Sequence, residues 1–286
     1  MPDSRAARLE LDLSPDKSTA STDVLNCRAG RREEERIDAV AVEEPLEIRV
    51  RGQRVAVTMR TPGQDEELAV GFLLTEGIIR SRAEILEIAH CAQGDASTHE
   101  NVLNLFLAPS VDVDFDRLTR HVFTASSCGL CGKSSIESVH QHFAPVSADL
   151  TVPAATLFQL PDRLRAAQGT FNLTGGLHAA AVFDLGGELL VLREDIGRHN
   201  AVDKVVGYGC LEEQLPFDAH ILVVSGRASF EIMQKALAAK MPVVAAISAP
   251  SSLAVEFARE SGQTLVGFLR GESMNIYAGA ARILGA

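Results

Sequence analysis

The sequence predicts an α/β fold: a mixed or parallel sheet covered by helices, with a smaller α/β unit ahead of it. Three observations carry this. Short apolar runs at 221–224, 243–247 and 264–269 alternate with amphipathic segments of helical length. Each of the first two runs leads through a small polar stretch, SGRAS or SAPSS, into its helix. Ahead of residue 110 the pattern changes to β-branched strands around one helical segment. Hydrophobic residues fill 46% of the 286 positions, which is enough core for one large or two modest domains.

In chain order, residues 1–36 are polar, carry a charge run at 31–36, and are expected to form a disordered tail. Residues 37–42, 46–50 and 55–59 read as strands, the last two joined by a turn at Arg51-Gly52-Gln53-Arg54. Residues 66–79 place Leu68, Phe72, Leu73 and Ile79 at helical spacing. Residues 85–89 and 102–107 are two more strands. Together 37–123 make the first subdomain. A loop at 124–137 follows, expected to be mobile, and a helix begins near Ser134 and runs to about His142. The second unit, 138–286, starts with a helix at 153–167. Strands at 177–183 and 188–192 turn at Gly186-Gly187, and a helix follows at 200–208. Two strand-loop-helix units and a final strand at 264–269 complete a largely parallel, buried sheet.

Net charge is −11, from 38 acidic and 27 basic residues, which argues against nucleic-acid binding. The five cysteines are odd in number and only two are close in sequence, which fits a reducing cytoplasm better than a disulfide scaffold. No stretch reads as a signal peptide or a membrane span.

The loop TASSCGLCGKSSIE holds Cys128 and Cys131. Lys133 and the start of a helix lie beside them, and both lower a thiol's pKa toward the reactive thiolate. Reactive thiols, half-buried structural thiols and half of a zinc site all fit this loop. The second C-x-x-C that would mark zinc is missing, and His90, Cys91 and His99 have no regular ligand spacing; His121, His140 and His142 read as a loop His and a polar helix face, or as zinc ligands with Cys128 and Cys131. In the second unit, ligands are expected beyond the carboxyl ends of the strands. The loops at 225–229 and 248–252 each open a helix, where free N–H groups attract phosphate, and Ser225 and Arg227 stand in the first. Ordinary capping is the other reading. The run REDIGRHN at 193–200 follows an apolar strand. It reads as a polar pocket in which Asp195 accepts from a guanine edge while Arg198 and His199 meet phosphate. His178, in NLTGGLHAA, is either a turn residue or a pocket wall.

Eight stretches in order, VEEPLEIRV, MRTPGQDEELAVGFLLTEGII, SSCGLCGKSSIE, NLTGGLHAAAVF, REDIGRHNAVDKVVG, SGRASFEIMQKA, ISAPSSLAVEFA and GFLRGESMNIY, resemble the formate dehydrogenase accessory sulfurtransferases, the FdhD/NarQ family. The resemblance spans about 37–277. It implies a cytidine-deaminase-like fold and a working homodimer. It also implies a sulfurtransferase that takes persulfide sulfur from a cysteine desulfurase on Cys128, with Cys131 as partner thiol. The sulfur would pass to molybdenum or tungsten in bis-molybdopterin guanine dinucleotide before that cofactor enters the catalytic subunit of a formate dehydrogenase. The family's cofactor-binding segment matches Phe268, Leu269, Arg270, Gly271, Glu272 and Ser273, and Asn275 lies just beyond. No dedicated metal site is implied. The deaminase-like fold does not bring deamination, because no His is followed two places on by Glu. A thiol-disulfide oxidoreductase and a non-catalytic cofactor chaperone remain as alternative classes.

Overall fold

The computed structural model describes residues 17–29, 31–90, 100–115, 143–147 and 149–285. The loop at 124–137, the helix expected at 134–142, and Cys91, His99, His121, His140 and His142 lie outside the described residues.

The chain opens with an antiparallel hairpin, β1 (Thr19–Arg28) and β2 (Arg31–Ala41). This corrects the expected tail over 19–36. Leu25 and Ile37 are exposed on the hairpin, so it lacks the apolar run by which sequence reveals a strand. A four-stranded sheet follows, in the order β4-β3-β6-β5, from β3 (Glu44–Val50), β4 (Gln53–Arg60), β5 (Ile85–His90) and β6 (Val102–Leu107). Helix α1 (Asp65–Thr75) stops four residues short of the expected end. Gly77, at φ +72°, turns the chain out, and the N–H of Ile78 returns to the Leu73 carbonyl at 2.8 Å.

The second unit is built on a six-stranded sheet, in the order β13-β12-β11-β10-β8-β9. Its strands are β8 (His178–Asp184), β9 (Leu189–Asp195), β10 (His220–Val224), β11 (Val243–Ala246), β12 (Thr264–Arg270) and β13 (Ser273–Ala278). Only β10 with β11 and β11 with β12 pair parallel, so the sheet is mixed rather than largely parallel. Strand β13 was not expected: its polar start, Ser273 and Asn275, hides it. A short parallel pair, β7 (Val152–Pro153) and β14 (Ile283–Leu284), closes the far side.

Alternate residues of the central strands feed two cores, as the pleat requires. Leu222, Val224, Val244 and Ala246 face α4 (Arg198–Leu211), α5 (Phe230–Ala238) and α6 (Ser252–Glu260). Ile221, Val223, Val243 and Ala245 face α2 (Ala154–Ala167), which is followed by the short α3 (Gly169–Thr174). The first core continues without a break into α1 and the four-stranded sheet, through Leu46, Ile48, Leu68, Leu103 and Leu105.

Two glycines allow that continuity. A Cβ at Gly71 of α1 would overlap the Asp203 carbonyl oxygen of α4, and one at Gly207 of α4 would overlap the Glu67 carbonyl oxygen of α1. The helices therefore cross backbone to backbone. Below the crossing, Asp203 accepts from Thr75 Oγ1 and Lys235 Nζ, both at 2.8 Å. Burial alone would lower the Lys235 pKa; the carboxylates around it, Asp203 with Glu76 and Glu231, together outweigh that and raise it.

Candidate functional site

Strands β9, β10, β11 and β12 all end at one edge of the six-stranded sheet. Three helices begin there: α4 after Gly197, α5 after Ser229 and α6 after Ser251. The loops before α5 and α6 are joined by a parallel bridge between Ala228 and Pro250 and by Ser251 N–H to the Ala228 carbonyl at 3.0 Å. Phe268 N–H donates to the Ser248 carbonyl at 3.1 Å, so β12 belongs to the same framework. First-turn N–H groups of three helices thus face one region, which favours an anion.

Side chains add to this. A Cβ at Gly226 would stand 3.3 Å from His178 Nδ1 and 3.7 Å from Arg198 Cδ, so these two side chains converge on a residue without one. Nε of Arg198 is buried without a hydrogen-bond partner among the described residues. A buried donor without an acceptor is costly, and at a ligand site the missing acceptor is the ligand's. Burial lowers the His178 pKa, and the charges of Arg198 and His199 lower it further. Arg227 is exposed on the loop, while Ser225 Oγ accepts the Ala179 N–H at 2.9 Å and fixes the loop's start.

Asp195 does something other than the sequence suggested. It is fully buried, and both oxygens are saturated. Oδ1 accepts from Gly197 N–H at 2.8 Å and Asn200 Nδ2 at 2.9 Å; Oδ2 accepts from Thr61 N–H at 3.2 Å and pairs with Lys204 Nζ at 2.8 Å. No lone pair is left for a guanine edge. Its neighbours are committed too. Arg193 pairs with Glu67 at 2.5 Å, Glu194 caps α3 through the N–H groups of Thr170 and Phe171, and Asn200 donates to the Met59 carbonyl at 2.8 Å. Arg193, Asp195 and Asn200 thus clamp the first subdomain to β9 and α4, while Arg193 and Glu194 also line a small cavity with Thr61, Pro62 and Thr170. His199 is likewise buried, with Nε2 2.7 Å from Glu231 Oε2, which corrects its expected phosphate contact. Lys204→Met should therefore cost about 3–5 kcal/mol, since Asp195 would keep a buried charge without its cation. Urea denaturation checks this, and a loss under about 0.5 kcal/mol would refute the clamp.

The 268–273 segment is the end of β12, a two-residue turn and the start of β13. Phe268 is exposed with φ +52°, at a bulge that sends Leu269 into the core, so Leu269 does not face a ligand. Arg270 is exposed, donates from Nε to the Ile247 carbonyl at 3.0 Å, and lies 5.8 Å from the Phe268 ring centroid. Gly271 (φ +52°) and Glu272 form the turn, and Ser273 and Asn275 are exposed beyond it, with Asn275 Nδ2 3.5 Å from the Tyr277 hydroxyl. The segment borders the edge through Arg270 and Phe268. Lys204 and Glu231 lie within quoted stretches of the sequence, but their partners, like the bare nitrogen of Arg198, come only from the folded packing.

Cys128 and Cys131 lie outside the described residues. Of the others, Cys27 is exposed on the hairpin. Cys210 is buried, and burial pushes its thiol up to about 11, which suits packing and not nucleophilic chemistry. The described residues contain no cluster of three or more His, Cys, Asp or Glu placed to hold a metal ion, and no helix among them is long and apolar enough to cross a membrane.

Comparison with known proteins agrees with this architecture. The model of the FdhD/NarQ family matches residues 41–284. The chain is 56% identical over 259 residues to the sulfur carrier protein FdhD of Mycobacterium tuberculosis strain H37Rv, covering 87% of this chain and 92% of that one. It is 53% identical over 253 residues to the protein of the same name from Streptomyces coelicolor, covering 87% and 90%. A crystal structure assigned to a formate dehydrogenase accessory protein of Desulfotalea psychrophila superposes with a TM-score of 0.75 at 26% identity, covering 93% of this chain and all of that one. With the family match spanning nearly all of the described body, the chain belongs to the FdhD/NarQ family.

Proposed function

We propose that this protein is a sulfur carrier for the maturation of a formate dehydrogenase, and that it holds a phosphate-bearing cofactor as cargo at the carboxyl edge of its six-stranded sheet. The observation that supports the cargo site best is the corner of Arg198, His178 and Gly226. It combines an unpartnered buried Arg198 nitrogen with a small cradle beneath three helix N-termini. The cargo that fits is bis-molybdopterin guanine dinucleotide, whose pyrophosphates are complementary to Arg198, Arg227 and Arg270. Its metal is the acceptor of the sulfur.

The carrier thiol in this reading is Cys128. Its thiolate attacks the terminal sulfur of a persulfide on a cysteine desulfurase; the S–S bond there breaks, the desulfurase thiolate leaves, and Cys128 carries the persulfide. Release is completed when the Cys131 thiolate attacks the inner sulfur of Cys128. Hydrosulfide leaves toward the metal, the two thiols supply the electrons, and the resulting disulfide is reset by a cellular dithiol. In sequence, glycines and serines surround both cysteines, and such small residues suit a thiol that must meet two partners. Incubation with a desulfurase and cysteine, followed by intact-mass analysis, should show one added sulfur. A protein that gains none is not a sulfur carrier, and a docking chaperone or a disulfide oxidoreductase then becomes the better reading.

The cargo site has its own test. Arg198→Ala should weaken pyrophosphate binding by about 10- to 100-fold, the usual weight of a hydrogen bond to a charged group, without altering persulfide loading. The pH dependence follows from His178. Its pKa lies below the ordinary 6.5, so the free protein holds a neutral ring near pH 7. A bound phosphate favours the protonated ring, so affinity should rise as pH falls through the His178 pKa of the complex and level off once the free protein's ring is protonated as well. His178→Gln should flatten that slope in calorimetric titrations, and an unchanged slope would remove His178 from the site.

A further inference from the structure

Glu231 is the second residue of α5 and His199 the second of α4, so both stand in first turns at the carboxyl edge. Glu231 Oε2 takes His199 Nε2 at 2.7 Å, and Ser229 Oγ lies 3.3 Å from the same nitrogen. Ser229 is the N-cap of α5 but gives no side-chain bond to the helix, whereas Ser251 caps α6 by accepting from Ala254 N–H at 3.2 Å. The Glu231 side chain is only 11% exposed. Its other oxygen, Oε1, is sealed from water and has no hydrogen-bond partner among the described residues.

A buried acceptor without a donor is destabilising, and folded proteins keep few of them. A carboxylate oxygen can only accept, so its complement is an N–H or O–H group. The residue just before His199 is Arg198, whose own Nε lacks an acceptor among the described residues. The first turns of α4 and α5, both at the carboxyl edge, therefore offer a cation suited to phosphate and a carboxylate oxygen suited to a ring N–H. A cargo with both features satisfies both orphans at once.

We propose that Glu231, held in place by His199, is the specificity residue that accepts from the 2-amino group of a 2-amino-4-oxopyrimidine edge. This rests on the cargo reading above and gives Glu231 the role that the sequence suggests for Asp195. Guanine and pterin share that edge, and both occur in the proposed cargo. His199 occupies one carboxylate oxygen, which leaves a single acceptor for a single amino N–H.

Calorimetry on the full chain tests this with two ligand pairs. GDP is compared with IDP, which lacks the 2-amino group, and pterin with lumazine, which carries oxygen in its place. We expect the wild type to prefer the amino-bearing member of one pair by about 10- to 100-fold. The pair that discriminates identifies the ring as guanine or pterin. Glu231→Met keeps the side-chain volume and removes the acceptor, so with its fold checked by circular dichroism that preference should fall to near unity. Equal binding within both pairs by the wild type overturns the inference, whether or not the variant folds. So does a preference that persists in the variant, or a variant that weakens all ligands alike. If neither these ligands nor pyrophosphate binds, the cargo reading itself falls, and this inference with it.

Discussion

Cys128→Ala should reduce activation of the client formate dehydrogenase to the background of cells lacking the protein, while the melting temperature stays unchanged. The substitution removes the only atom that bonds the transferred sulfur, so no neighbouring group compensates. Cys131→Ala should divide the cycle: persulfide still forms on Cys128, but its discharge slows and the loaded form persists, because the resolving thiolate is gone. Intact-mass analysis before and after cofactor addition reads both steps. Normal formate oxidation in cells carrying only Cys128→Ala would overturn the assignment of the carrier thiol, whereas rapid discharge from Cys131→Ala would overturn only the resolving role.

A second large structural effect is expected at the crossing of α1 and α4. Helix propensity alone makes Gly71→Ala and Gly207→Ala stabilising by about 1 kcal/mol each. Packing predicts the opposite sign. At each position the new methyl would fall on a backbone carbonyl of the facing helix, Asp203 or Glu67, which cannot rotate aside. The helices must separate, and the buried contacts of Asp203 with Thr75 and Lys235 stretch with them. We expect a loss at or above the upper end of the ~1–3 kcal/mol typical of overpacking, read as a shifted urea midpoint. A stabilised Gly207→Ala variant would show that the two subdomains are not locked at this point.

Much of this fold is legible in the sequence where the local signal and the packing agree. Strands β10 and β11 appear as unbroken apolar runs because helices cover both faces, and the small polar loops after them mark helix starts. Strand β6 is identical to its expected span, 102–107. The misses have a common cause. The hairpin of β1 and β2 and the polar start of β13 bury too little to show a period. The charged run at 193–200 shows the opposite failure. Composition cannot tell a carboxylate that faces a ligand from one saturated by a nearby lysine, and Asp195, with Lys204 nine positions on, is the latter. Glu231 is invisible for the same reason, because its partner His199 comes from another helix.

The crossing of α1 and α4 also fixes an order of events during synthesis. Thr75 and Asp203, which bond across it, are 128 positions apart. When α1 leaves the ribosome, the helix it must pack against has not yet been made. At roughly 5–20 residues per second, the delay is on the order of ten seconds. Until α4 arrives, Leu68, Val70 and Leu74 and the inner face of the four-stranded sheet share an unfinished interior. The first subdomain is thus a nascent chain waiting for its own second half, and in that interval its apolar surface is available to trigger factor-like holdases or to neighbouring chains on the same message.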